Sequence, residues 1–191
     1  MDGYYITSLV FGILAVLVCL FIFSHRSRSL SLLLKFLFDL FSALNLTFAY
    51  LSTGEVILLA GLGTNIVGMA RDILFFFRGR YKWANNILWL FLFLLLYGLS
   101  LIFTYRNPLS LLPVIGSLIN TTALYLLNHK AMKWLTFIGQ LFFITYYAIL
   151  IRSSDMLTIL NLLASSVMMA SVIIGLFILY FVKKEDNNTS I

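Results

Sequence analysis

The sequence predicts an all-α membrane protein of seven transmembrane helices, built as two parallel triple-helix bundles joined by a linker helix in a 3+1+3 plan. Three observations predict it. Hydrophobic residues make up 62% of the chain and charged residues 10%, with a mean hydropathy of +1.02, whereas soluble domains run at about 45–50% and 25%. The apolar residues fall into seven runs long enough to cross a hydrocarbon core of about 30 Å as helices. The spacing and loop charges of the first three runs recur in the last three.

The runs lie at approximately 5–24, 30–51, 55–77, 85–104, 109–127, 131–151 and 155–182. The short connections between them leave no room for a soluble domain. The strict alternation of a membrane barrel is absent. Residues 1–191 therefore read as a single membrane domain, with a first repeat at 5–77, a linker helix at 85–104, a second repeat at 109–182 and a polar tail at 183–191. The opening "MDGYYITSLVFG" has no basic segment and leads into an apolar run too long for a cleavable signal, so the first run reads as a retained helix.

Orientation follows from the Lys and Arg residues between helices. Arg26, Arg28, Arg78, Arg80 and Lys82 fall in the first and third connections; Lys130, Lys133, Lys183 and Lys184 fall in the fifth connection and the tail. All nine share one side, against Arg106 and Arg152 on the other. This predicts an N-terminus outside and a C-terminus in the cytoplasm, which requires an odd number of spans. The net charge of +6 is thus topological. It points to anionic headgroups of the lipid bilayer and not to nucleic acid.

The repeat rests on register. Helices beginning near 5, 30 and 55 are echoed near 109, 131 and 155, so His25-Arg26 aligns with His129-Lys130. The outer connections place an acid, Glu55 or Asp155, at the start of the next helix, where a negative charge suits the helix dipole. With one helix between the triplets, both enter the membrane from the same side and the repeats are parallel.

Within the runs, polar and small residues form stripes at helical spacing. The third run has Gly61, Asn65, Gly68 and Asp72; the second has Lys35, Asp39, Ser42 and Asn45. The fifth offers Pro113, Gly116, Asn120 and Ala123, the sixth Gly139, Gln140 and Tyr147, and the seventh Asn161, Ser165, Met168 and Gly175. Gly61, Gly68, Gly116 and Gly175 are expected to permit close helix approach. Asn65, Asn120 and Asn161 are the candidates to line a central cavity.

Charges inside a span cost about 2.5–3.5 kcal/mol each on insertion scales. Lys35 and Asp39 are one turn apart and can pair. Lys35 and Arg71 are both placed to snorkel toward the basic side. Asp72 cannot stretch as far and demands a partner, with Lys35, Arg71 or a loop cation as the choices. These four residues are the inner-gate or ion-pair candidates. Asn107 and Pro108 fit a helix start, and Pro113 a turn later is the hinge candidate.

Catalytic and metal-binding signals are absent from the sequence. The two histidines lie in basic connections, no ligand cluster has metal spacing, and the single cysteine, Cys19, sits in an apolar run as packing. No cofactor is implied.

The run "TNIVGMARDILFFF", the basic connection with Trp83 after it, and "NPLSLLPVIGSLINTTALYLL" resemble the YgjV family of bacterial inner membrane proteins. That resemblance implies the bacterial inner membrane. The 3+1+3 plan is also similar to the superfamily of SWEET and PnuC transporters, which implies a central cavity and facilitated diffusion by rocking of one bundle against the other. Carried over by position, Asn65 and Asn161 would face that cavity. The chain departs from SWEET proteins in lacking their set of prolines, with Pro113 alone in a comparable place, and no Trp stands on the third or seventh helix to stack on a sugar or nucleobase. Two readings stand: a small-solute transporter or permease for a small polar solute, or a non-transporting scaffold, assembly factor or receptor-like binder on the same bundle. An enzyme lacks a nucleophile and base within reach. The sequence sets no oligomeric state.

Overall fold

The computed structural model describes residues 3–24, 27–55, 57–78, 80–105, 108–150 and 156–182. Every regular element in these residues is helical: α1 Gly3–Ile22, α2 Arg28–Thr53, α3 Ile57–Phe77, α4 Leu88–Thr104, α5 Leu111–Tyr125, α6 His129–Leu150 and α7 Met156–Phe177. They follow the seven apolar runs closely. His25, Arg26, Arg106 and Asn107 lie outside the described residues, as do Arg152, Asp155 and the tail at 183–191.

Local chemistry sets the ends. Ser27 caps α2, its hydroxyl accepting from the Leu30 N–H at 3.3 Å, and Gly54 closes the same helix at φ 70°, its N–H donating to the Tyr50 carbonyl at 2.7 Å. Glycine adopts this left-handed turn without the Cβ penalty. Asn128 Oδ1 accepts from the N–H groups of Lys130 and Ala131 at 3.0 Å and 3.3 Å, starting α6. Asn86 Oδ1 accepts from Leu88 N–H at 3.0 Å at the start of α4.

α2 packs between α1 and α3, and α6 packs between α5 and α7. Contacts of α1 with α7 and of α3 with α5 close the six into a ring, and α4 lies outside against α3 and α5. The outer faces are apolar: Ile6, Val10, Ile13 and Leu17 on α1 and Leu88, Phe91, Leu95 and Ile102 on α4 stand about half exposed or more. Such a girdle would be a large apolar patch in water and is an ordinary lipid-facing surface in a bilayer. Among the described residues four helices are long and apolar enough to cross a membrane by length and composition, Gly3–Ile22, Arg28–Thr53, Pro108–Tyr125 and Thr158–Phe181, with Leu88–Ile102 a shorter apolar helix.

Burial is concentrated at one end, where α1, α3, α5 and α7 finish and α2 and α6 begin. Ile22, Phe23, Leu32, Phe75, Leu124 and Met132 are essentially fully buried there. Phe75 meets Phe93 and Tyr125 edge to face, with centroids 5.6 Å and 5.5 Å apart. Arg28, read from the sequence only as a loop charge, turns inward across this end. Its Nε donates to the Leu126 carbonyl at 3.0 Å and its Nη2 to that of Leu124 at 2.8 Å, while Nη1 donates to Phe75 at 3.2 Å. It thereby supplies donors to the Leu124 and Leu126 carbonyls, adds a second to the Phe75 carbonyl, which also accepts from the Arg78 N–H at 3.2 Å, and meets the negative ends of both dipoles. Arg28→Ala should cost about 1.5–3 kcal/mol, the range for bonds to a charged donor. A maleimide reacting with the fully buried Cys19, slow in the parent protein, should label this variant severalfold faster; unchanged labelling would show that Arg28 does not hold this end shut.

The expected close approaches occur. A Cβ on Gly61 would stand 2.9 Å from Leu46 of α2, and one on Gly116 would stand 2.8 Å from Phe143 and 3.0 Å from the Gly139 carbonyl of α6. Gly68 and Gly175 are tighter still and are treated below.

Candidate functional site

Beyond the packed end, the helices separate around a partly open cavity of about 250 Å³. Its lining runs from Lys35 and Arg71, nearest the packed layer, to Gly61, Tyr147 and Asn161, farther from it. The lining repeats by position. Lys35, Phe38 and Ser42 on α2 are matched by Gln140, Phe143 and Tyr147 on α6, each 105 positions later and one residue beyond the offset that aligns His25 with His129. Gly61, Thr64 and Asn65 on α3 are matched by Asn161, Ala164 and Ser165 on α7, each 100 positions later.

The structure brings all three candidate asparagines to this wall, Asn65 from α3, Asn120 from α5 and Asn161 from α7. Among the described residues none of their carboxamides has a protein hydrogen-bond partner. Each therefore keeps an unspent donor pair and acceptor. Asn120 is seated by Gly139, where any Cβ would overlap its Oδ1. Asn45, also on the wall, is held differently: its Oδ1 accepts from the Ser8 hydroxyl of α1 at 2.6 Å, and Gln140 Nε2 donates to Met168 Sδ at 3.1 Å.

The four charged candidates meet at the cavity's deep end. Lys35 Nζ donates to Asp39 Oδ1 one turn along α2. Arg71 Nε donates to Asp72 Oδ1 at 2.8 Å, and Nη2 stands 2.7 Å from the same oxygen and 3.4 Å from Asp39 Oδ2. Arg71 Nη1 donates to the Tyr97 hydroxyl of α4 at 3.1 Å and the Thr121 hydroxyl of α5 at 3.2 Å. One guanidinium thus links α2, α3, α4 and α5. Asp72 Oδ2 has no hydrogen-bond partner among the described residues.

This corrects the expectation that Lys35 and Arg71 snorkel. None of the four charged residues is more than 8% exposed, and neither cation reaches toward the basic surface. Two carboxylates within hydrogen-bond range offer Arg71 charge-assisted bonds in a low dielectric, where they are far stronger than a hydrated contact at the interface. Asp72 finds its partner in its own neighbour. Gly68, one turn before Asp72, makes room for the cluster, because a Cβ there would overlap Asp39 Oδ2 and stand 3.1 Å from its Cγ.

Tyr97 and Thr121 escaped the sequence reading. The signal for Tyr97 was present, a lone phenol amid the apolar residues of "LWLFLFLLLYGLS", but only the fold shows that it meets Arg71. Pro113, the hinge candidate, is the third residue of α5. In a first turn its missing N–H breaks no intrahelical bond.

Apolar outer faces around a buried, ion-paired polar cavity define an integral membrane protein. A family model, Imp-YgjV, bacterial inner membrane protein, matches residues 6–183. The chain belongs to that family of bacterial inner membrane proteins. No curated protein and no solved structure matches it.

Proposed function

We propose that the chain is a small-solute transporter or permease, similar in plan to the SWEET and PnuC proteins, in which two parallel triple-helix bundles, 5–77 and 109–182, rock about the central cavity. The linker helix at 85–104 joins them, the N-terminus lies outside, and the basic connections and the tail at 183–191 face the cytoplasm. One observation carries this reading: a cavity of about 250 Å³ whose walls hold three carboxamides without hydrogen-bond partners among the described residues. A buried amide without a hydrogen bond costs about 1–3 kcal/mol, which the half-buried Asn65 and Asn161 avoid by facing the cavity. A scaffold without a pathway would be more stable with Leu or Phe filling the same volume. The recurrence of lining positions on α2 and α6, and on α3 and α7, supports the repeat. Passage is then the alternate closing of the two ends, and the packed basic end is one of them.

The test is ligand-induced thermal stabilisation of the purified protein with panels of sugars, nucleosides, vitamins and amino acids. At least one class should raise the melting temperature, and Asn65→Ala and Asn161→Ala should each weaken that solute's binding by about 5- to 50-fold, the loss expected for one to two hydrogen bonds. The absence of any shift, or shifts in both variants unchanged from the parent protein, would remove the proposed site.

A further inference from the structure

The repeated lining carries a chemical asymmetry. Where α2 has Lys35, α6 has Gln140 at the matching position; where α3 has Arg71 and Asp72, α7 has Ser171 and Val172, and the position matching Asp39 is Ile144. The second half folds and lines the cavity without charge at any of these places. Charges placed in a span mark ion and proton pathways. Within the cluster the two acids are unequal. Asp39 lines the cavity, whereas Asp72 is fully buried and does not. Arg71 lies 2.7 Å from Asp72 and 3.4 Å from Asp39.

We propose that Asp39 is a proton-binding site and that the cavity takes a small monoanion, a carboxylate above all, together with that proton. The proposal rests on the transport reading and specifies its substrate class. With two cations and two carboxylates the cluster is neutral, so an anion entering alone would bring an uncompensated charge into a low dielectric. A proton from cavity water that binds an Asp39 carboxylate oxygen makes the neutral acid and removes the charge that holds Lys35. Arg71 stays on Asp72, whose second oxygen has acceptor capacity to spare. Lys35, whose ammonium has Asp39 as its one hydrogen-bond partner among the described residues, is then an unmatched cation facing the cavity. A monoanion restores neutrality there. Proton and anion bind as a neutral pair and leave as one.

The charged and titratable groups facing Asp39 are few. Lys35 lies on its own helix, Arg71 and Asp72 on α3 and the Tyr97 hydroxyl on α4, with the Cys19 thiol of α1 close enough to interact electrostatically. The walls from α5, α6 and α7 contribute no titratable side chain except Tyr147. A pH response therefore traces to this cluster, and its sign is fixed: binding that requires a protonated Asp39 is strongest at low pH and weakens by about tenfold per pH unit once that proton is lost from the free protein.

The experiment is thermal stabilisation of the full chain in detergent at pH 5.5 and 7.5 with sodium lactate, pyruvate and gluconate, set against glucose, mannitol and urea. Lactate or a sister anion should stabilise the parent protein at pH 5.5 and much less at pH 7.5. Asp39→Asn should bind the same anion equally at both values, and Asp39→Glu should restore the pH dependence. In liposomes loaded with a pH-sensitive dye, adding that anion outside should acidify the lumen faster than in protein-free vesicles. Stabilisation by neutral solutes alone, the same at both pH values, would overturn the proton-linked site and leave the transport reading standing. No stabilisation by any solute in this panel or in the earlier ones would overturn both. The parent protein's own pH dependence decides the matter even where Asp39→Asn does not fold.

Discussion

Arg71→Leu should be the most damaging single substitution in the bundle, lowering stability by about 3–5 kcal/mol, the cost of removing one partner of a buried pair. Asp39 would keep Lys35, but Asp72 would remain fully buried with both oxygens unmatched, since its bonds at 2.7 Å and 2.8 Å come from Arg71 alone. The links to Tyr97 and Thr121 would also go, loosening α4 and α5 from α3. Replacing Asp72 by Leu at the same time removes the stranded charge and should recover most of the loss, because well-packed apolar residues substitute for buried pairs at little cost. Unfolding in mixed micelles, read as the midpoint in denaturing detergent, measures both. If the double variant is no more stable than the single, charge compensation is not what the pair supplies.

Gly175→Ala should also destabilise the bundle. A Cβ at this position on α7 would overlap the Phe23 carbonyl oxygen and stand 2.9 Å from the Phe23 carbonyl carbon, with Lys133 pressed in beside it. A backbone obstacle cannot rotate away as a side chain can. The substitution must push α7 from the end of α1, where the Phe23 N–H donates to Ser171 Oγ at 2.9 Å, and overpacking of this kind costs about 1–3 kcal/mol. Gly63→Ala and Gly98→Ala are the controls: nothing lies within 4 Å of a Cβ at either, and in a helix interior alanine is favoured over glycine by about 0.5–1 kcal/mol. A loss of stability in the controls equal to that of Gly175→Ala would assign the effect to the helix and not to the contact.

Much of this molecule could be read before it was folded. The seven helices were legible because a bilayer demands long apolar runs, and α1 to α7 start and end near Ser27, Gly54, Asn128 and other residues with plain capping chemistry. The asparagines were legible because a carboxamide every few turns in an apolar helix has few uses. What the sequence could not convey was direction. Arg71 has a stem long enough to reach either the surface or the interior, and the choice is made by Asp39, thirty-two positions away, and by the gap that Gly68 leaves for it. Arg28 reads as one more basic loop residue until the ends of α3 and α5 converge on it. Tyr97 is invisible as a ligand for the same reason: its partner arrives through tertiary packing, and no local pattern marks it.

The packed layer at the basic end also has an electrical meaning. In the proposed cycle the cavity opens away from this layer, so its water carries the potential of that side and a membrane voltage would fall mostly across the closed material between the Lys35–Asp72 cluster and the basic connections. Moving one charge through the whole field exchanges about 2.3 kcal/mol per 100 mV. Nearly all of that exchange would belong to the stretch beyond Asp39, and little to the approach through open water. Under that proposal an ion that reaches the cluster would have felt little of the voltage, and the step that opens the far side would be the one the membrane potential drives or opposes.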